Sequence, residues 1–420
     1  MKERLKNLIE LLSFRTMWDD QEEEDWEDYD RKEEYVSGDE EYADETLERA
    51  GISAEALYMI IAALVVIAVL AYTFMSRRHL YTGYEITSSY EAEDIVGTRY
   101  EKLGSGFVKY GSDGVSYVSG RNETQWSTAY TIETPVTTTC ADTMLIYEQQ
   151  GYTVVVLNSD GVFGSYQTDS PIMRAEVAKN GVAALMLKDG DDARIRLTST
   201  DGTALAEVKT TLEDQGYPLA MDLSSDALNL MVSLTKIGSG TVDSSIVFYN
   251  FSSAAQSDDS HQVSSTDYRN EIFPYVCFAT DKIPVAAGDS RFVTFTTSRH
   301  PEEKRSVHIA GEILSLFHNE EYIGFVLASD SATERYRMQV YNYNGKMTAD
   351  RTFSRGYSEV KMDSGEILFN DSGHIMAFTP RGIARLDTDC DRQITEFVKI
   401  PGFRRYALLT NSGMYRIRAV

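Results

Sequence analysis

Past Glu91 one unit recurs along the chain: a run of alternating β-formers, a polar tight turn, then another short strand. Its clearest copies span 152–166, 193–208 and 336–353, with looser ones at 245–256, 291–309 and 382–398. An earlier copy fits 115–130, and a truncated one, MYRIRAV, occupies 414–420. Asp160-Gly161, Asp201-Gly202 and Asn344-Gly345 mark turns, because Gly, Asn and Asp tolerate the positive φ such hairpins demand. Turns near 121, 160, 201, 252, 300, 344 and 389 fall roughly 40–50 residues apart, the length of a four-stranded propeller blade. Apolar runs such as TMLIYEQQ and HIMAFTPRG precede the units and supply their further strands.

Seven complete copies plus the terminal one predict an all-β fold, an eight-bladed β-propeller over 84–420. Seven blades is the alternative, since the fourth blade is irregular and carries the insert SSAAQSDDSHQVSST at 252–266. The last unit ends one strand short, while YEITSSY (84–90) has no blade of its own. It is expected to supply the missing strand, which would close the ring and remove its free edges.

Ahead of the repeat lies Leu57 to Met75, nineteen residues with no charge, Pro or Gly. As a helix this run covers about 28 Å, close to the hydrocarbon thickness of a bilayer. Tyr58 and Tyr72 lie near its ends and Arg77-Arg78 follow it. The expected organisation is an acidic tail at 1–56, a transmembrane helix at 57–76, a linker at 77–83 and the propeller at 84–420. Within the tail, 1–16 reads as a short amphipathic helix, and 17–48, crowded with carboxylates, as disordered.

The formal net charge is −25, of which the tail contributes −13. Neither portion has the basic footprint a phosphate backbone requires, so nucleic acid is not expected as a partner. Orientation draws on two opposed signals. Near the run, only Arg49 precedes it whereas Arg77 and Arg78 follow. An uncleaved signal anchor followed by a long domain nonetheless translocates that domain. The tail is therefore expected in the cytoplasm and the propeller outside.

Chemistry is sparse. Cys140, Cys277 and Cys390 are scattered and form no CxxC pair. No Walker loop, GxGxxG, HExxH or GxSxG is present. His300 and His308 straddle one turn but read as surface residues, and the other histidines lack metal-ligand spacing. The Asp-rich runs DGDD (189–192) and DTDCD (387–391) do not match a calcium loop and read as turns. Gly104-Ser105-Gly106 and Gly238-Ser239-Gly240 read as loops, and the triplets at Asn122, Asn250 and Asn370 match the glycosylation pattern. The 26 tyrosines are expected mainly in the core of the strands. No catalytic, cofactor or metal residue is assigned.

The turn pattern, an apolar strand followed by D-x-x-G or N-x-D-G, is similar to that of quinoprotein-type and outer-membrane-assembly-type propellers. Those repeats usually carry a Trp after the turn, and this domain has only Trp126. The WD-type signature is missing too, since Trp18-Asp19 lies in the tail. The layout over most of the chain resembles uncharacterised single-pass proteins of anaerobic Gram-positive bacteria, a domain of unknown function. That resemblance implies a cell-surface location and no known activity. The function expected is a membrane-anchored binding or scaffolding module of the cell envelope. It would meet the bilayer through Leu57–Met75 and a protein or envelope polymer on a propeller face. The alternatives are a sensor acting through the tail and a propeller enzyme using the central channel.

Overall fold

A computed structural model describes residues 54–76, 78–92, 97–213, 215–238, 240–252 and 261–420. The expected amphipathic helix at 1–16 and the acidic segment 17–48 lie outside the described residues. Two compact units divide between Tyr72 and Thr73. Most of α1 (Ala54–Ser76), a 23-residue helix grown from the uncharged run, belongs to the first. Its described side chains, 58–71, are all exposed. Among the described residues no helix is long and apolar enough to cross a membrane.

Among its described residues the second unit holds 32 strands, β1 to β32, in eight four-stranded antiparallel sheets. Blades 1 to 7 are consecutive meanders at 99–129, 135–167, 172–210, 217–268, 275–308, 313–353 and 359–389. Blade 8 takes three strands from 396–419 and its outermost from β1 (Tyr84–Glu91). The eight blades and the closure by YEITSSY are both as expected. Strand β1 runs antiparallel to β32 (Gly413–Ala419), from Tyr84 opposite Ala419 to Glu91 opposite Gly413. Gly83 and Val420 continue the pairing with two backbone hydrogen bonds of 3.1 and 2.9 Å. Upstream, the buried Tyr81 forms a parallel bridge with Leu386 of blade 7, so the closing segment ties two blades together.

The recurring turn joins the third and fourth strands of a blade. In blades 1 to 7 their register slips next to the turn, the mark of a hairpin ending in a bulge. The bulge position needs a left-handed backbone, supplied by Gly202 (φ 85°), Gly345 (φ 82°) and, in blade 1, Asn122 (φ 61°). One expected unit is displaced. The turn of blade 7 is Thr379-Pro-Arg-Gly382, with Gly382 at φ 73°, and not the DTDCD run near 389. HIMAFTPRG begins with the third strand of that blade, β28 (His374–Phe378), and DTD belongs to the fourth, β29 (Ala384–Asp389). Polar residues there imitate a turn, but Asp387 and Asp389 sit 2.9 and 2.7 Å from the ring nitrogens of His374. In blade 4 the fourth strand, β17 (Gln262–Tyr268), takes in the last five residues of the 252–266 insert.

The apolar core is divided eight ways, one cluster per interface between neighbouring blades. Met144 and Ile146 pack toward blade 1, whereas Leu145 and Tyr147 pack toward blade 3. Both faces of a blade are therefore buried, which is why second strands such as TMLIYE read as continuous apolar runs. Many tyrosines do lie in this core, among them Tyr117, Tyr249 and Tyr406.

Candidate functional site

The first strand of each blade lies at the centre of the ring, and polar and charged side chains of these strands line the channel. A cavity of about 610 Å3 opens there, lined from six blades by Glu101, Thr138, Glu176, Asp222, Tyr275 and His318. It also reaches Lys179, Asp281 and Glu320 in the turns between first and second strands, so it opens on that face of the ring. Farther round the wall stand Lys361, from Glu359–Asp363, and Glu396 with Lys399, from Glu396–Lys399.

Hydrogen bonds between these side chains stitch neighbouring blades. Thr137 donates to Glu101 Oε2 at 2.7 Å and Thr138 to Glu176 Oε2 at 2.7 Å, joining blade 2 to both its neighbours. Arg174 Nε adds a 3.3 Å contact to Glu176 Oε1 within blade 3. Asp222 of blade 4 accepts the backbone N–H of Phe278 in blade 5 and that of Leu223. The Tyr275 hydroxyl lies 2.6 Å from His318 Nε2, linking blades 5 and 6. Lys361 pairs with Glu396 across blades 7 and 8. Lys102 donates to Asp363 Oδ1 at 2.7 Å and to the Lys399 carbonyl at 3.1 Å, joining blade 1 to blades 7 and 8.

Dense surroundings shift the titration of this wall. Burial raises the Glu101 carboxyl, against the Thr137 hydrogen bond and the Lys361 charge. Burial also raises Glu176, opposed by Thr138 and Arg174. Asp222 is pushed well above the carboxylate range by burial and then by the nearby Glu176 charge, despite its two N–H donors. Burial lowers Lys361 and His318. His318 Nε2 is within hydrogen-bond distance of the Tyr275 hydroxyl, and its Nδ1 lies 3.9 Å from Cys277 Sγ.

A Cys–His contact inside a cavity invites a nucleophile reading, but the electrostatics oppose it. Burial pushes the Cys277 thiol well up, and the Asp222 charge adds to the shift. A reactive thiolate needs the opposite environment. Among the described residues no three His, Cys, Asp or Glu side chains gather as a metal-binding set. The arrangement is suited to holding a polar guest through hydroxyl, carboxylate and imidazole groups.

Of the cavity wall, sequence reading names only Cys140, Cys277 and His318, and gives none of them a site role. The signal was present: charged residues at alternate positions in strands such as IMRAEV, where an enclosed strand should be apolar. The paired histidines, the Asp-rich runs and the asparagine triplets of the sequence fall elsewhere. His300 bonds the Val263 carbonyl at 2.8 Å, and His308 is exposed in the outer strand of blade 5, opposite Arg291. Asp192 accepts the Leu212 N–H at 2.9 Å. Of the three glycosylation triplets, Asn370 is buried and Asn250 donates its amide to Asn229, leaving Asn122 at the turn of blade 1.

The model of a family of unknown function, DUF5711, matches residues 76–419. A comparison with curated proteins finds no match. Among solved structures, BamB from Moraxella catarrhalis superposes over 80% of this chain and 100% of its own, with 11% identity and a TM-score of 0.47. AztD from Citrobacter koseri covers 70% and 87%, with 8% identity and a TM-score of 0.49. The Pan2 WD40 domain of Neurospora crassa covers 68% and 88%, with 12% identity and a TM-score of 0.41. The expected resemblance to a domain of unknown function is met by the DUF5711 match.

Proposed function

We propose, for a chain that belongs to the DUF5711 family of unknown function, that the propeller is a binding module held at a membrane by the helix preceding it. The channel cavity carries this reading. Side chains from six blades converge on a hollow of about 610 Å3, a size that suits a small polar ligand or the tip of a larger partner. Its wall offers donors and acceptors on rigid strands, and its thiol is held protonated rather than activated. Anchoring rests on the sequence alone, on the nineteen uncharged residues from Leu57 to Met75, which as one helix would cover about 28 Å. The signal-anchor layout supports a tail in the cytoplasm and a propeller in the cell envelope, with a protein or envelope polymer as the partner.

Thermal unfolding of the full chain in detergent, with envelope-polymer fragments added, tests the binding reading, because a ligand of the native state raises its stability. A fragment-dependent shift that disappears in Thr138→Val and His318→Phe supports the channel. A shift of the same size in both variants moves binding to another surface, and a chemically altered fragment assigns an enzyme instead. Protease added to spheroplasts should remove the propeller and leave a small fragment containing the helix. Protection of the propeller reverses the orientation.

A further inference from the structure

We propose that the edge of the ring where blades 7 and 8 meet, on the face where the chain enters, is a lipid-contacting surface. It seats Arg78, Arg381 and Arg405 on anionic headgroups and dips Leu80 and Phe403 into the interface. The inference rests on the anchoring reading above and adds to it a second contact, made by the propeller itself.

Backbone pairing builds the surface. Tyr81 donates its N–H to the Arg385 carbonyl at 3.0 Å and accepts from Asp387 N at 3.0 Å, which ties the entering segment to blade 7 two residues before Gly83 pairs with blade 8. Ala419 N bonds the Arg404 carbonyl at 2.9 Å, bringing the 400–404 turn of blade 8 beside that segment. The Arg404 guanidinium lies over the Tyr81 ring at 4.7 Å and the Phe403 ring at 5.3 Å. Arg404 adopts φ 59°, and the turn leaves Phe403 52% exposed, with Leu80 40% exposed nearby. A groove of about 850 Å3 alongside is lined by Arg78, Arg381 and Arg385.

Single exposed apolar residues are ordinary on a protein surface. An exposed Phe and Leu set among arginines is the composition that holds a protein at a headgroup layer. Lipid is the occupant because of where the chain comes from. Met75 ends the uncharged run, and the five residues from Ser76 to Leu80 reach about 18 Å at most when extended. Glu320 and Glu321 line the same groove, and Glu320 and Asp281, with Lys179, also line the cavity mouth. Headgroup contact is therefore assigned to the arginines of the blade 7–8 edge and not to the carboxylates beside them.

The test uses the full chain in nanodiscs of phosphatidylglycerol mixed with phosphatidylcholine, against phosphatidylcholine alone, with hydrogen exchange read at 78–83 and 400–405. Exchange there should slow in the anionic discs, and high salt should remove the difference. Arg381→Glu and Arg405→Glu should each reduce the protection about fivefold at low salt, and Phe403→Ser should reduce it in both lipids. Carbonate extraction reports on the helix separately. A carbonate-resistant chain whose exchange ignores lipid charge overturns this proposal alone, whereas a carbonate-extracted chain overturns the anchoring reading and this proposal with it. Protection that follows the number of chains per disc assigns the surface to a second copy and also overturns it.

Discussion

Where blades 7, 8 and 1 meet, cations and carboxylates alternate along the channel wall. Lys361 holds Glu396, Lys102 holds Asp363, and Asp363 also accepts the backbone N–H of Lys399. Where blades 3 and 4 meet, Glu176 and Asp222 are both carboxylates, and the charge of the first raises the second. Both regions are made of first strands and are similarly enclosed, so their difference lies in which charges the sequence placed there. A buried pair of opposite charges on different blades locks a seam, because losing either partner strands the other. A like-charge seam stays proton-dependent, and it forms part of the wall of the cavity.

Four experiments sharpen that contrast. The largest effect should come from the closure that the locked side supports. A chain beginning at Glu93 lacks β1 and leaves β32 as an open edge, so it should aggregate, whereas one beginning at Gly83 should unfold cooperatively. The second should still melt below a chain beginning at Arg78, since it lacks the buried Tyr81, worth about 2 kcal/mol. Equal melting and solubility for chains beginning at Gly83 and Glu93 would remove β1 from the account of closure.

Next in size is Lys361→Met, which leaves Glu396 buried without its cation and should cost about 3 kcal/mol in denaturant titration. A loss below about 0.5 kcal/mol would place the pair with ordinary surface salt bridges and erase the contrast. Asp222→Asn should cost less, about 1–2 kcal/mol, because the amide NH2 turns a donor toward one of the two N–H groups the carboxylate accepts.

Glu176→Gln should have the smallest effect and the opposite sign, a stabilisation of up to about 1 kcal/mol at neutral pH. The sign follows from proton linkage. Glu176 and Asp222 have raised native values, so between about pH 4 and those values the native state holds protons the unfolded chain has released. Their contribution is complete below about pH 4 and is lost as pH rises through the native values. The Glu176→Gln advantage should therefore be near zero at about pH 4 and grow toward pH 7 in paired thermal melts. A pH-independent difference would show that the two carboxylates do not repel.

The turn residues, the spacing and the two-sided apolar runs made the blade count legible, because each reports on local backbone conformation or on burial by adjacent sheets. Gly202 and Gly345 needed no partner elsewhere to declare a left-handed turn. The misplacement in blade 7 has the same root: DTDCD has the chemistry of a turn, and only His374, on the neighbouring strand, shows that these aspartates belong to a sheet. Closure by YEITSSY was legible as well, since a strand left without a partner and a blade short of one imply each other.

By itself, then, the sequence determined the repeat, the eight blades and the joining of the ring across the two ends of the domain. All three follow from periodicities of two residues and of one blade, which are local. The wall of the channel was decided by tertiary structure. Glu101, Glu176, Asp222 and His318 lie tens to hundreds of residues apart, and each looks like any polar residue in a strand. Closing eight sheets around one axis brings their first strands together and excludes enough water to shift their titration. Whether neighbouring charges oppose or attract depends on that convergence, which no stretch of sequence contains.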